Sequence, residues 1–105
     1  MLSGCYTALV TPMRTGDRRP IDYAALEQLV EFQISNGVSG ILAMGTTGES
    51  PTLNWEEHSE VIVKVNEFCA DRGAVIAGTG SNCTEETLAS TRHVADCHTA
   101  GGTLL

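Results

Sequence analysis

Gly40-Ile41-Leu42-Ala43-Met44-Gly45-Thr46-Thr47-Gly48-Glu49-Ser50 is the stretch that decides the fold. Ile41 to Met44 is an apolar run with no polar alternation, which reads as a strand buried on both faces. Asn54, followed three residues later by Glu57, reads as a helix start with a capping box. Between them lies a strand-to-helix turn. Its two glycines let the backbone take positive φ and let another group approach closely. Thr46 and Thr47 add hydroxyls beside backbone N–H groups. Such a turn at the end of a buried strand suits the carboxylate or phosphate of a small ligand.

Working outward, the same pattern recurs on both sides. Cys5 to Val10 is an apolar strand, ended by Thr11-Pro12 because proline cannot donate to a ladder and restricts its predecessor. A charged loop covers residues 13–20. Asp22 caps a helix whose Leu26, Leu29, Val30 and Ile34 share one face, and Asn36-Gly37 stops it. After Asn54, a second helix buries Val61, Ile62, Val65, Phe68 and Cys69, and Gly73 is the expected stop. Ala74 to Ala77 is a third strand, and Gly78-Thr79-Gly80-Ser81-Asn82 a second small polar turn. Asn82 or Thr84 caps a third helix that runs to about Ala100 and stops at Gly101-Gly102. Thr103-Leu104-Leu105 opens a fourth strand.

The order is β-α-β-α-β-α-β, with strand ends at Val10, Met44 and about Gly78, a constant interval of 34 residues. Uniformly apolar strands joined by helices predict a parallel sheet. A doubly wound sheet and part of a (β/α)8 barrel both fit. Neither turn reads G-x-G-x-x-G and no Walker A lysine is present, so no nucleotide cofactor is expected. The regular repeat, with small polar residues after every strand, favours the barrel, whose strand-to-helix loops line the active-site face. A complete barrel takes roughly 250 residues, and this chain has 105. Residues 1–105 are therefore expected to form the N-terminal part of a TIM barrel, incomplete at the C-terminus.

Composition narrows the function classes. Net charge is −7, with six basic residues against thirteen acidic ones, which argues against nucleic acid or an anionic membrane surface as partner. No apolar run reaches the length of a membrane span. The start, Met1-Leu2-Ser3-Gly4, lacks a basic n-region and an apolar h-region, and the expected location is the cytoplasm. Cys5, Cys69, Cys83 and Cys97 form no Cys-x-x-Cys pair and are expected to be reduced, mostly buried thiols. His93 and Cys97 share a helix face beside His98, but a metal there would need ligands from elsewhere, so none is expected.

Thr7-Ala8-Leu9-Val10-Thr11-Pro12, then Gly45-Thr46-Thr47-Gly48-Glu49-Ser50-Pro51-Thr52-Leu53, then Ala77-Gly78-Thr79-Gly80-Ser81-Asn82 occur in register. Together they resemble the N-terminal third of the dihydrodipicolinate synthase / N-acetylneuraminate lyase family, class I aldolase-type (β/α)8 barrels. The two threonines of the turn resemble the synthase branch more than the lyase branch. The resemblance implies a lysine that forms a Schiff base with pyruvate, whose enamine then attacks an aldehyde. In the synthase branch that aldehyde is aspartate semialdehyde, and the product feeds lysine biosynthesis.

Carried over position by position, Thr47 resembles the threonine that binds the pyruvate carboxylate. Thr46 resembles the threonine of a proton relay with two tyrosines, a role a hydroxyl can fill because it both donates and accepts. Ser50, Pro51, Trp55, His58, Asn82 and Glu86 match positions where some synthases bind lysine as a feedback inhibitor. Trp55 stands where some relatives carry histidine. Glu49 is expected to bond loop N–H groups, and Thr11 and Pro12 to shape the first loop without chemistry. The family's Schiff-base lysine lies beyond Leu105. Lys64, flanked by Val63 and Val65 in the second helix, is expected to be a solvated helix residue. Tyr6 and Tyr23 do not match the relay tyrosines. The resemblance also implies a homotetramer for the full-length protein, while the 105 residues alone are expected to lack aldolase activity. The competing readings are a sialic-acid lyase, a 2-keto-3-deoxy sugar acid aldolase, a truncated protein that docks on full-length subunits, and a product without function.

Overall fold

The computed structural model describes residues 2–97 and the backbone of residues 101–103. Four parallel strands, β1 (Tyr6–Ala8), β2 (Gly40–Ala43), β3 (Ala74–Gly78) and β4 (Gly101–Thr103), alternate with helices α1 (Tyr23–Ser35), α2 (Trp55–Cys69) and α3 (Thr84–Asp96). The sheet order is β1-β2-β3-β4. That order separates the two architectures left open by the sequence. Right-handed crossovers that always step in one direction put every helix on the same face of the sheet, whereas a doubly wound sheet reverses direction. Accordingly, α1 packs on α2 and α2 on α3. The arrangement is an arc of a (β/α)8 barrel.

The core fills the space between the arc and its helices. Leu9, Ile41, Ala43, Val75 and Ala77 from the sheet side meet Leu26, Val30, Val61, Ile62, Val65, Cys69 and Val94. Leu26, Val30, Ile62 and Val65 are wholly buried, each contributing roughly 1.5–3 kcal/mol by leaving water. Leu29, Ile34 and Phe68, expected on the buried faces, are only partly buried against this core. On the opposite face, Leu42 and Ile76 remain half-buried. The expectation of strands buried on both faces thus holds for the helix side alone, since a barrel interior is filled only by layers contributed from all its strands.

Helix ends show where chain chemistry governs. Asp22 accepts from Ala25 N at 3.0 Å, and Gly37 turns the chain at φ 87°. Asn54 and Glu57 form the reciprocal capping box, with bonds of 2.9 and 3.0 Å. Three expectations need correction. Helix α2 ends at Cys69, four positions before Gly73, because Ala70 and Asp71 take left-handed conformations at φ 48° and 60°. The guanidinium of Arg72 stabilises that end by donating to the carbonyls of Cys69 and Phe68. Neither Asn82 nor Thr84 caps α3. Its cap residue is Cys83, without a side-chain bond, and the hydroxyls of Ser81 and Thr87 take the local N–H groups instead. Gly101 and Gly102 lie in β4, pairing with Ile76 and Ala77, so they do not stop α3. Ala100, His98, Leu104 and Leu105 lie outside the described residues.

The cysteines also differ from expectation. Cys69 is buried, Cys97 half-buried, and Cys5 and Cys83 are exposed. Burial pushes the Cys69 and Cys97 thiols up, keeping them protonated. Among the described residues no group of three His, Cys, Asp or Glu could hold a metal, and no helix is long and apolar enough to cross a membrane.

Candidate functional site

The turn after β2 is built by local strain. Met44 leaves the strand at φ 57°, a left-handed conformation that costs a residue with a Cβ about 1–2 kcal/mol. It is held there by its surroundings. Gly78 at the end of β3 packs so closely that an added Cβ would lie 2.1 Å from the Met44 carbonyl oxygen. Thr46–Gly48 then forms a 3-10 turn that begins without a side-chain cap, leaving its first N–H groups open to a ligand. Glu49 reverses the chain at φ 59°. Its expected role in bonding loop N–H groups is not what the structure shows: its carbonyl accepts from the hydroxyl of Thr52 at 2.8 Å, and no bond from its carboxylate forms among the described residues. The hydroxyl of Thr11, buried beneath the turn, donates to the Gly48 carbonyl at 2.7 Å.

Beside this turn is a cleft of about 520 Å³ lined by Thr46, Ser50, Pro51, Leu53, Trp55, His58, Gly80, Ser81, Asn82 and Glu86. The six residues that the sequence grouped together, Ser50, Pro51, Trp55, His58, Asn82 and Glu86, thus face one space. Thr46 shares it. Thr47 is exposed and does not line it. The two adjacent threonines therefore face different surroundings.

Two polar residues in the cleft are already committed. The ring of His58, 4 % exposed, places Nε2 2.8 Å from the Gly78 carbonyl oxygen. A carbonyl can only accept, so Nε2 carries the proton and Nδ1 is the acceptor. Burial lowers the His58 pKa, partly opposed by the Gly78 bond. The indole of Trp55 lies against the same ring, centroids 4.9 Å apart and tilted by 45°. Glu86, in the first turn of α3, accepts from the Ser81 hydroxyl at 2.6 Å. A carboxylate there also complements the positive end of the helix. One wall of the cleft is thus aromatic and one end anionic.

Lys64 has its side chain 37 % exposed and pairs with Glu67 at 3.2 Å, a surface contact on α2, and it does not line the cleft. Tyr23 does not line the cleft either. Burial first, and then its hydrogen bond to Glu60, raise its pKa well above the ordinary phenol value. Tyr6 lies across Gly40 on the sheet.

The residues missed by sequence reasoning are Leu53, Gly80 and Ser81, while Thr11 was expected to shape the first loop but not to reach the second turn. The first three sit inside the quoted motifs, so their proximity was legible but their facing was not. Thr11 carried only the signal of a threonine before proline.

Comparison with known proteins places these motifs. Residues 1–104 match the model of the dihydrodipicolinate synthetase family. The 4-hydroxy-tetrahydrodipicolinate synthase of Methanocaldococcus jannaschii is 52% identical over 88 residues, 84% of this chain and 29% of the relative. The solved dihydrodipicolinate synthase of Acinetobacter baumannii, complexed with pyruvate, superposes with a TM-score of 0.94 at 38% identity, covering 99% of this chain and 35% of that one. That of Cyanidioschyzon merolae, with lysine bound, gives a TM-score of 0.88 at 39% identity, covering 94% of this chain and 33% of that one. The chain spans about a third of the length of these relatives. With the matched residues running almost end to end, the chain belongs to the dihydrodipicolinate synthetase family.

Proposed function

We propose that the chain supplies part of the pyruvate-handling site of a 4-hydroxy-tetrahydrodipicolinate synthase, the lyase that condenses pyruvate with aspartate semialdehyde for lysine biosynthesis. The observation that carries the reading is the uncapped Thr46–Gly48 turn at the C-terminal end of β2. There Thr47 offers a hydroxyl and an N–H to a carboxylate, and Thr46 holds a hydroxyl that can pass a proton. A relative complexed with pyruvate adds support. The nucleophile is a lysine outside these residues; Lys64, paired with Glu67 on α2, is not it. In the complete enzyme, which acts in the cytoplasm as a homotetramer, Thr47 orients the carboxylate while the ketone meets that lysine.

The cleft is the seat of a feedback inhibitor with lysine's chemistry. Glu86 takes an ammonium, Trp55 covers the aliphatic stem, and Asn82 and Ser50 bond the remaining polar groups. A relative with lysine bound supports this reading.

Borohydride reduction in the presence of pyruvate tests the assignment of the nucleophile. The 105-residue chain is expected to gain no adduct, and an adduct of pyruvate mass on Lys64 would overturn it. Titration of the labelled chain with pyruvate tests the turn. The Thr46 and Thr47 amide resonances should move, and Thr47→Val should abolish the response.

A further inference from the structure

The start of the Thr46–Gly48 turn is fixed by β2, through Met44. Its far end belongs to no strand or long helix. The N–H groups of Gly48 and Glu49 bond back to Gly45 and Thr46 at 3.0 Å each, which shapes the turn but does not attach it to anything. The attachment comes from the first loop. Thr11 is 5 % exposed, its Oγ1 donates to the Gly48 carbonyl at 2.7 Å, and the same oxygen lies 3.6 Å from Met44 Sδ. Thr11 thus touches both ends of the turn. The fit is close, since a Cβ added at Gly48 would come within 3.2 Å of Thr11 Oγ1 and 3.3 Å of the Leu9 carbonyl oxygen. Leu9 in turn is fixed by its N–H to the Leu42 carbonyl at 3.0 Å.

We infer that Thr11 is a positioning residue for the turn that carries Thr46 and Thr47: its hydroxyl, through Gly48, sets where those two side chains stand. The inference rests on the reading of Thr46 and Thr47 given above. It goes further by assigning to the first β/α loop a role in the site of the second. Thr11 touches no substrate in this role. Without its hydroxyl the Gly48 carbonyl would be left buried and unpaired, a state that favours opening of the turn.

Three single-site variants of the labelled 105-residue chain test this. Thr11→Val keeps the shape and removes the donor, Thr11→Ser keeps the donor, and Thr7→Val controls for loss of a buried hydroxyl in the neighbouring strand, where Thr7 Oγ1 has no hydrogen-bond partner. Amide hydrogen exchange at Gly48 and Glu49 should quicken about tenfold in Thr11→Val. It should stay near native in Thr11→Ser and in Thr7→Val, and α1 and α2 should keep their protection in all three. Pyruvate should then shift the Thr46 and Thr47 resonances less in Thr11→Val than in Thr11→Ser. Unchanged exchange in Thr11→Val would overturn the inference. So would a turn loosened equally in Thr11→Ser, because packing rather than the hydrogen bond would then hold it. If Thr11→Val does not fold, Thr11→Ser decides alone: native exchange supports the inference and quickened exchange overturns it. If the unsubstituted chain does not respond to pyruvate, the substrate reading fails by itself, and the exchange rates still decide the positioning role.

Discussion

His58 Nε2 on α2 lies 2.8 Å from the carbonyl oxygen of Gly78 at the end of β3, so a side chain of one β/α unit closes a backbone acceptor of the next. The bond needs a proton on Nε2, which both the neutral and the charged ring can supply. Burial nevertheless penalises the charge and lowers the His58 pKa. A histidine with a depressed folded pKa binds fewer protons folded than unfolded. Stability should therefore fall as pH drops below about 6.5, the ordinary histidine value, and level off below the folded value. Thermal unfolding from pH 8 to pH 5 should show this decline, and His58→Leu should flatten it while lowering stability by about 1–3 kcal/mol at pH 8 through loss of the buried bond to Gly78.

Gly78 has no room for a side chain. Gly78→Ala would force its Cβ to within 2.1 Å of the Met44 carbonyl oxygen, an atom that cannot move without moving the turn. The expected cost is about 3 kcal/mol, the upper part of the overpacking range, read by urea unfolding. Gly16→Ala, at an exposed positive-φ loop position with nothing within 4 Å of an added Cβ, should cost less.

Arg72 grips the Glu31 carboxylate with both terminal nitrogens, at 3.0 and 2.7 Å. Those hydrogen bonds hold the Glu31 carboxyl below the usual range. The sign follows from the depressed folded value: the contribution is present above the unfolded glutamate pKa and disappears as pH falls through the folded one. Both groups are exposed, so the effect is small. Glu31→Gln should be less stable than the unsubstituted chain at pH 7 and indistinguishable from it near pH 3, as followed by denaturant midpoints.

If the cleft holds lysine, its anionic end and its aromatic wall should weaken separately. Glu86→Gln should reduce lysine affinity about tenfold or more, in keeping with a charge-assisted bond worth about 1.5–3 kcal/mol. Trp55→Ala should reduce it less, because it removes only the apolar cover of the aliphatic stem on a partly exposed indole. Calorimetry on the full-length protein distinguishes the two. Equal, unaltered affinity in both variants would place the inhibitor elsewhere.

Much of the fold was legible because short-range chemistry governs it. Asp22, Asn54 with Glu57, and Gly37 marked helix ends that packing did not override, and the interval between strand ends pointed to repeated β/α units. What escaped was decided through space. Ala70 and Asp71, rather than Gly73, turn the chain after α2, because Arg72 and the nearby carbonyls hold them in a conformation that propensity disfavours. The grouping of Ser50, Pro51, Trp55, His58, Asn82 and Glu86 came from the family resemblance, and their shared cleft needed the fold. Thr11 offered the least warning, since nothing local in Thr11-Pro12 announces an acceptor 37 positions away.

The reach of Thr11 to Gly48 and of His58 to Gly78 bears on how such barrels can change over generations. Each rim turn takes its shape partly from the preceding unit, so the units are not interchangeable cassettes. A unit transplanted from a relative would arrive with its own threonines but without the donor that seats them. Exchanges that keep adjoining units together should retain rim geometry, and cuts between them should lose it even where every active-site side chain is preserved.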